Sequence, residues 1–199
     1  MNSENIISPR LKEILKKYNT ENIIDILDSQ QLCMKGHQQR VAQMASTVAL
    51  AMGLSESDEE AVFIAASLHD IGFVNTSFNI DVGKTKFNDI YEKLKSHPEI
   101  GAKILKDMQF PAPICEIVLQ HHEKLDGSGY PRGIKDVMIE AQIIVVVDTI
   151  DGVLSIHSKD EEQAIKHASD MINEMRDGLL DPEIIDVAID QLNKHNFVI

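Results

Sequence analysis

Apolar residues recur along most of this chain at helical rather than strand spacing. Ser8-Pro9 followed by Leu11, Ile14 and Leu15 has the form of a helix start with proline in the first turn, and a second short helix is predicted after Thr20. From Gly36 onward Val41, Met44, Val48 and Met52 form one face of a helix that stops at Gly53, with His37 on the same inward stripe. Ser55-Glu-Ser-Asp58 reads as a capping box. The helix it opens carries Ala61, Val62, Ala65 and Leu68 before reaching Gly72, so His69 and Asp70 fall at its end. Residues 73–88 keep no period, contain Val82-Gly83-Lys84-Thr85 and read as loop. Helices are predicted over 88–95, 97–108 and 113–122, then a glycine loop from Asp126 to Gly133, then helices over 160–176 and 181–195. Only Ile143 to Val147 fits a buried strand as well as a helix, because a short β-branched run has no period to separate them. The predicted class is all-α, without repeats, low-complexity segments or a clear domain boundary.

Composition narrows the function classes. The chain has 199 residues, 43% of them apolar, enough to cover a sizeable core. Its 19 basic residues face 32 acidic ones, a net charge of −13, which excludes bulk electrostatic attraction to duplex nucleic acid or an anionic membrane. The acidity is concentrated late: residues 149–199 carry 4 basic against 11 acidic side chains. No apolar signal core opens the chain and the longest aliphatic run is Ile143 to Val147, so a cytoplasmic protein without membrane contact is expected. Cys33 and Cys115 form neither a disulfide framework nor a paired metal motif.

The histidines carry the chemistry. His37, His69, His97, His121 and His122 each lie in or beside an apolar helical pattern, and Asp70 and Asp148 join them. Imidazole nitrogen with carboxylate oxygen suits Zn, Mn, Fe or Co, and ligands scattered over several helices are what a bundle-core metal site needs. Neighbours on a helix diverge by about 100°, so His69-Asp70 and His121-His122 face one pocket best at helix ends. Asp148 follows Ile143-Ile-Val-Val-Val147, where a buried carboxylate is costly unless partnered, and metal is the partner expected. Each feature alone reads as ordinary core structure; together they do not. His157, His167 and His195 sit in polar sequence and are expected at the surface.

The order His37-x-x-Arg40, His69-Asp70-Ile71-Gly72, Ser96-His97-Pro98-Glu99-Ile100-Gly101, His121-His122-Glu123, Asp126-Gly-Ser-Gly-Tyr130-Pro131 and Val147-Asp148-Thr149-Ile150-Asp151 resembles the HD-GYP family. These are bacterial HD-domain metal-dependent phosphohydrolases that hydrolyse cyclic di-GMP. The resemblance spans residues 37 to 182 and leaves 1–36 as a short N-terminal helical segment. It implies a helical bundle in which 141–155 is helix. It also implies that His37, His69, Asp70, His97, His121, His122 and Asp148 are metal ligands, with Asp70 bridging two ions and His69 and Asp70 central to catalysis. The implied reaction is attack on a phosphodiester by metal-activated hydroxide with loss of a 3′ oxygen. Asp126, Gly127, Gly129, Tyr130 and Pro131 form the implied substrate or partner loop, for a cyclic dinucleotide or a signalling protein.

The sequence departs from that family at three places. Phe73 stands where active members carry lysine after HDIG. Leu154 to Asp160 lacks an Arg-Pro-Tyr-Arg stretch and keeps only Lys159 as a cation, and Cys33 stands where three-metal members have glutamate. Two divalent transition-metal ions, of the Fe, Mn or Zn kind, are therefore expected rather than three. Lys84 is a candidate replacement cation, although its loop lacks the spacing and preceding strand of a phosphate-binding P-loop. The departures leave two other readings open: a catalytically weak signalling module, and a phosphohydrolase for another nucleotide.

Overall fold

The computed structural model describes residues 13, 16–17, 23, 27, 36–74, 87–156, 160–194 and 197. Among them seven α-helices and no strand occur: α1 His37–Ala51, α2 Glu56–Leu68, α3 Phe87–Asp107, α4 Ala112–Gln120, α5 Ile139–Ile156, α6 Glu161–Glu174 and α7 Pro182–Asn193. Those described before residue 36 are helical. Lys84, Cys33, His157, Lys159 and His195, with most of the expected N-terminal segment, lie outside the described residues.

Local chemistry sets the helix boundaries. Gly36 caps α1 at φ 76°, a left-handed conformation that favours glycine. The Ser55 side chain accepts the Asp58 N–H at the start of α2, and Glu56, Asp58 and Glu59 place negative charge against the positive end of the helix dipole. Asp160 and Asp181 cap α6 and α7 in the same way.

The Ile143–Val147 run is helical. α5 buries ten of its side chains, Ile143, Ile144, Val146 and Val147 among them, because α1, α2, α4, α6 and α7 pack around it. A helix apolar on almost every side belongs in the centre of a bundle. The two helices expected over 88–95 and 97–108 are one, α3, which continues through Pro98. Proline removes one N–H from a helix and does not by itself end it; here a histidine side chain takes over the carbonyl that Pro98 frees.

Beyond α2 the chain makes a short 3-10 turn, Ile71–Phe73, which packs on α3. Only glycine fits at position 72, since a Cβ there would lie 2.0 Å from the His97 carbonyl oxygen. This close approach brings the end of α2 against the middle of α3 and so sets His69 and Asp70 beside His97.

Candidate metal centre

The histidines and aspartates singled out in the sequence converge from five places. His37 opens α1, His69 and Asp70 follow α2, His97 lies within α3, His121 and His122 follow α4, and Asp148 lies within α5. Ligand-capable atoms fall into two groups, His37 with His69 and Asp70, and His97 with His121 and His122. Asp70 faces both. Its Oδ2 is 3.3 Å from His69 Nε2 and 3.7 Å from His37 Nε2, while its Oδ1 is 3.7 Å from His97 Nε2. Asp148 Oδ1 joins the first group at 3.3 Å from His37 Nε2 and 3.8 Å from His69 Nε2. Asp148 is less enclosed than its apolar neighbours suggest, with 31% of its side-chain surface exposed.

The ring nitrogens are sorted by their outer partners. His69, His97 and His121 each donate Nδ1–H to the backbone carbonyl three residues earlier: Ala66 at 2.8 Å, Leu94 at 2.5 Å and Val118 at 2.6 Å. His37 Nδ1 donates instead to Asp151 Oδ2 at 2.8 Å. In all four, Nε2 is left with its lone pair directed inward. His97 Nε2 and His121 Nε2 consequently meet at 3.0 Å, lone pair against lone pair, and the buried His69 Nε2 has no hydrogen-bond partner.

A divalent cation resolves these conflicts, and the donor set fits one. Two ligands about 2.1 Å from an ion are about 3.0–3.5 Å apart; the His69–Asp70, His37–Asp148 and His97–His121 separations fall in that range, and the other three lie just beyond it at 3.7–3.8 Å. Burial pushes His97 down to about 4 and His122 down to about 3, and burial with neighbouring imidazoles holds His121 well below the ordinary histidine value. These rings are neutral at neutral pH, as ligands must be. Burial raises the Asp148 carboxyl, reinforced by Asp70 and Asp151 but opposed by His69 and His37, so positive charge beside it favours its ionised form.

Arg40 and Asp151, both within the sequence motifs, and Gln38, beside His37, pack around these ligand-capable groups. Asp151, 1% exposed, takes Arg40 Nε on Oδ1 at 2.6 Å and Arg40 Nη2 on Oδ2 at 3.0 Å while it also holds His37. Burial works against the Asp151 charge, but His37 and Arg40 outweigh it and hold the carboxyl low; for His37 burial is outweighed by Asp151, Asp148 and Asp70 and the ring is raised. Gln38, fully buried, donates Nε2–H to Asp70 Oδ2 at 3.1 Å and fixes the shared carboxylate. Its position next to His37 on the helix was the available clue.

The glycine loop closes one side. The buried Glu123 carboxylate accepts the Arg132 N–H at 2.6 Å and the Ile134 N–H at 3.1 Å. Gly129 lets the loop fold onto that glutamate, since a Cβ would lie 2.5 Å from Glu123 Cα. Tyr130 lies stacked on His122 with ring centroids 4.7 Å apart, its N–H donating to the His122 carbonyl at 3.1 Å. Pro131 and Gly127 are half-buried, whereas Asp126 is exposed and accepts the Ser128 N–H. Phe73 is buried and stacks on His97 at 4.2 Å. His167 is exposed on α6. Among the described residues no helix is long and apolar enough to cross a membrane.

The sequence pattern of the HD domain family matches residues 21–184. The chain is 33% identical over 156 residues to the cyclic di-GMP phosphodiesterase response regulator RpfG of Xanthomonas campestris pv. campestris, covering 76% of this chain and 41% of that protein. It is 26% identical over 169 residues to a 3'3'-cGAMP-specific phosphodiesterase of Vibrio cholerae, covering 83% of this chain and 39% of that protein. The chain thus spans about two fifths of the length of the curated relatives it matches. In fold it is similar to the HD domain of the Listeria monocytogenes phosphodiesterase PgpH, solved with cyclic-di-AMP, at TM-score 0.70 and 19% identity over 87% of this chain and 94% of that one.

Proposed function

The chain belongs to the HD domain family, and from that membership we propose that it is a metal-dependent phosphodiesterase hydrolysing cyclic di-GMP to linear dinucleotide, GMP or both. The observation that carries the reading is Asp70, whose two oxygens face two separate sets of imidazole nitrogens. That arrangement suits a pair of divalent ions: His37, His69 and Asp148 would hold one, His97, His121 and His122 the other, with Asp70 shared. The catalytic unit in this reading is residues 37–199, after a short segment over 1–36.

Divalent ions bound there supply Lewis acidity toward phosphoryl oxygens and a water acidic enough to act as nucleophile at neutral pH. The protein's part is orientation. Gln38 fixes the Asp70 carboxylate, and the Nδ1–H bonds of His69, His97 and His121 hold three lone pairs in place before any ligand arrives. Substrate reaches the centre past Asp148, His122 and Tyr130, its half-buried members. Divalent ions held by His37, His69, Asp70, His97, His121, His122 and Asp148 would make the centre locally attractive to phosphate although the chain carries a net charge of −13.

Phe73 favours a second reading. An apolar ring buried against His97 offers substrate no cation there, as befits a weakly active module that binds a cyclic dinucleotide or a protein partner. Metal-loaded protein incubated with cyclic di-GMP, cyclic GMP-AMP, cyclic di-AMP and a non-cyclic nucleotide, with products resolved by chromatography, separates the two. Turnover of cyclic di-GMP supports the phosphodiesterase. Tight binding without turnover selects the second reading, and turnover confined to non-cyclic nucleotides removes both.

A further inference from the structure

A line of side chains leads outward from the second group of ligands. Tyr130 is stacked on His122 at 26° between ring planes, and the Lys95 ammonium lies over the Tyr130 ring, 5.8 Å from its centroid. Lys95 comes from α3, two residues before His97, and is half-buried. Its charge is therefore held on the rim of the centre, separated from His122 by one aromatic ring.

A cation over a ring at a partly exposed site adds only modestly to stability, so the placement matters more for what the ammonium faces than for holding the fold. Lysine on its flexible stem is a point charge suited to a phosphate oxygen. The nearer position after the HDIG turn is occupied by Phe73, which supplies no charge.

We propose that Lys95 is a substrate-binding residue whose ammonium, steered by the Tyr130 ring, takes the second, non-scissile phosphate of a cyclic dinucleotide while the scissile phosphate occupies the histidine–aspartate centre. The assignment rests on the phosphodiesterase reading above. It makes Lys95 a determinant of specificity: a substrate with two phosphates uses it, and a substrate with one does not.

The test compares Lys95→Gln and Lys95→Arg with the unaltered, metal-loaded protein on cyclic di-GMP and on bis(p-nitrophenyl) phosphate, which has a single phosphodiester. Lys95→Gln is expected to raise KM for cyclic di-GMP about tenfold with little change in kcat, the loss of one charged hydrogen bond. Lys95→Arg is expected to restore most of it. Neither should alter the kinetics of bis(p-nitrophenyl) phosphate, the metal content or the melting temperature. If the unaltered protein cleaves cyclic di-GMP and Lys95→Gln leaves KM unchanged, or slows both substrates alike, the assignment is overturned while the phosphodiesterase reading stands. If the unaltered protein cleaves bis(p-nitrophenyl) phosphate but neither binds nor cleaves a cyclic dinucleotide, the cyclic-dinucleotide reading falls and takes the assignment with it.

Discussion

His97 Nδ1–H donates to the Leu94 carbonyl at 2.5 Å, and that carbonyl is the one Pro98 leaves without its helical N–H partner. A defect in α3 thus becomes the device that orients a ligand. Replacing Pro98 by Ala returns an N–H that competes for Leu94. The variant is expected to keep or raise its melting temperature while metal affinity at the His97, His121 and His122 group falls about tenfold. Titration with Zn or Mn beside a thermal melt reads both quantities, and unchanged affinity would show that the backbone bond does not matter for binding.

The same relation explains what was legible in the sequence. His37, His69, Asp70, His97, His121, His122 and Asp148 stand out in the sequence because their residue types suit metal chemistry and their order matches the HD-GYP pattern. The break expected near residue 96 was wrong because pattern reading treats proline as a stop and cannot see a side chain satisfying the freed carbonyl. The Ile143–Val147 run is ambiguous alone and is helix because five helices pack around it. Asp151 closes the Val147–Asp151 motif, but its role, like those of Gln38 and Lys95, is not legible in sequence because it depends on partners far away: Asp151 holds a histidine 114 positions away, and Gln38 an aspartate 32 away.

Asp151 joins His37 to Arg40 from an almost fully buried position. Asp151→Ala strands the Arg40 charge and frees His37 Nδ1. The expected loss is about 3 kcal/mol in urea unfolding, together with weaker metal binding at the His37, His69 and Asp148 group. A variant as stable as the parent would show that the pair contributes nothing net.

Acid should weaken the metal-free protein. Burial holds His97 at about 4 and His122 at about 3 in the folded chain, and His121 is also depressed, whereas unfolding returns all three toward 6.5. Below pH 6.5 the unfolded state takes up more protons, so stability falls as pH drops from 6.5 toward 4. His37, raised in the fold, acts in the opposite sense, adding stability below 6.5 that is lost as pH rises through its folded value. Three groups outweigh one. Thermal melts of chelator-treated protein from pH 8 to pH 4 should decline from about 6.5 downward; a flat profile would contradict the burial of these rings.

Phe73→Lys places a cation beside His97 at the cost of an aromatic contact worth about 1 kcal/mol. Turnover of cyclic di-GMP is expected to rise about tenfold, as one added charged hydrogen bond to a phosphate allows. Initial rates at saturating metal decide it, and an unchanged rate means that the missing lysine does not limit catalysis.

The central claim is that one carboxylate, Asp70, unites two metal sites. Elemental analysis of protein produced with Fe and Mn supplied, set beside Asp70→Ala, tests it most directly. About two transition-metal ions per chain are expected in the parent, the number a two-metal centre holds, with loss from both sites in the variant. No metal in the parent, or the same content in Asp70→Ala, would contradict it.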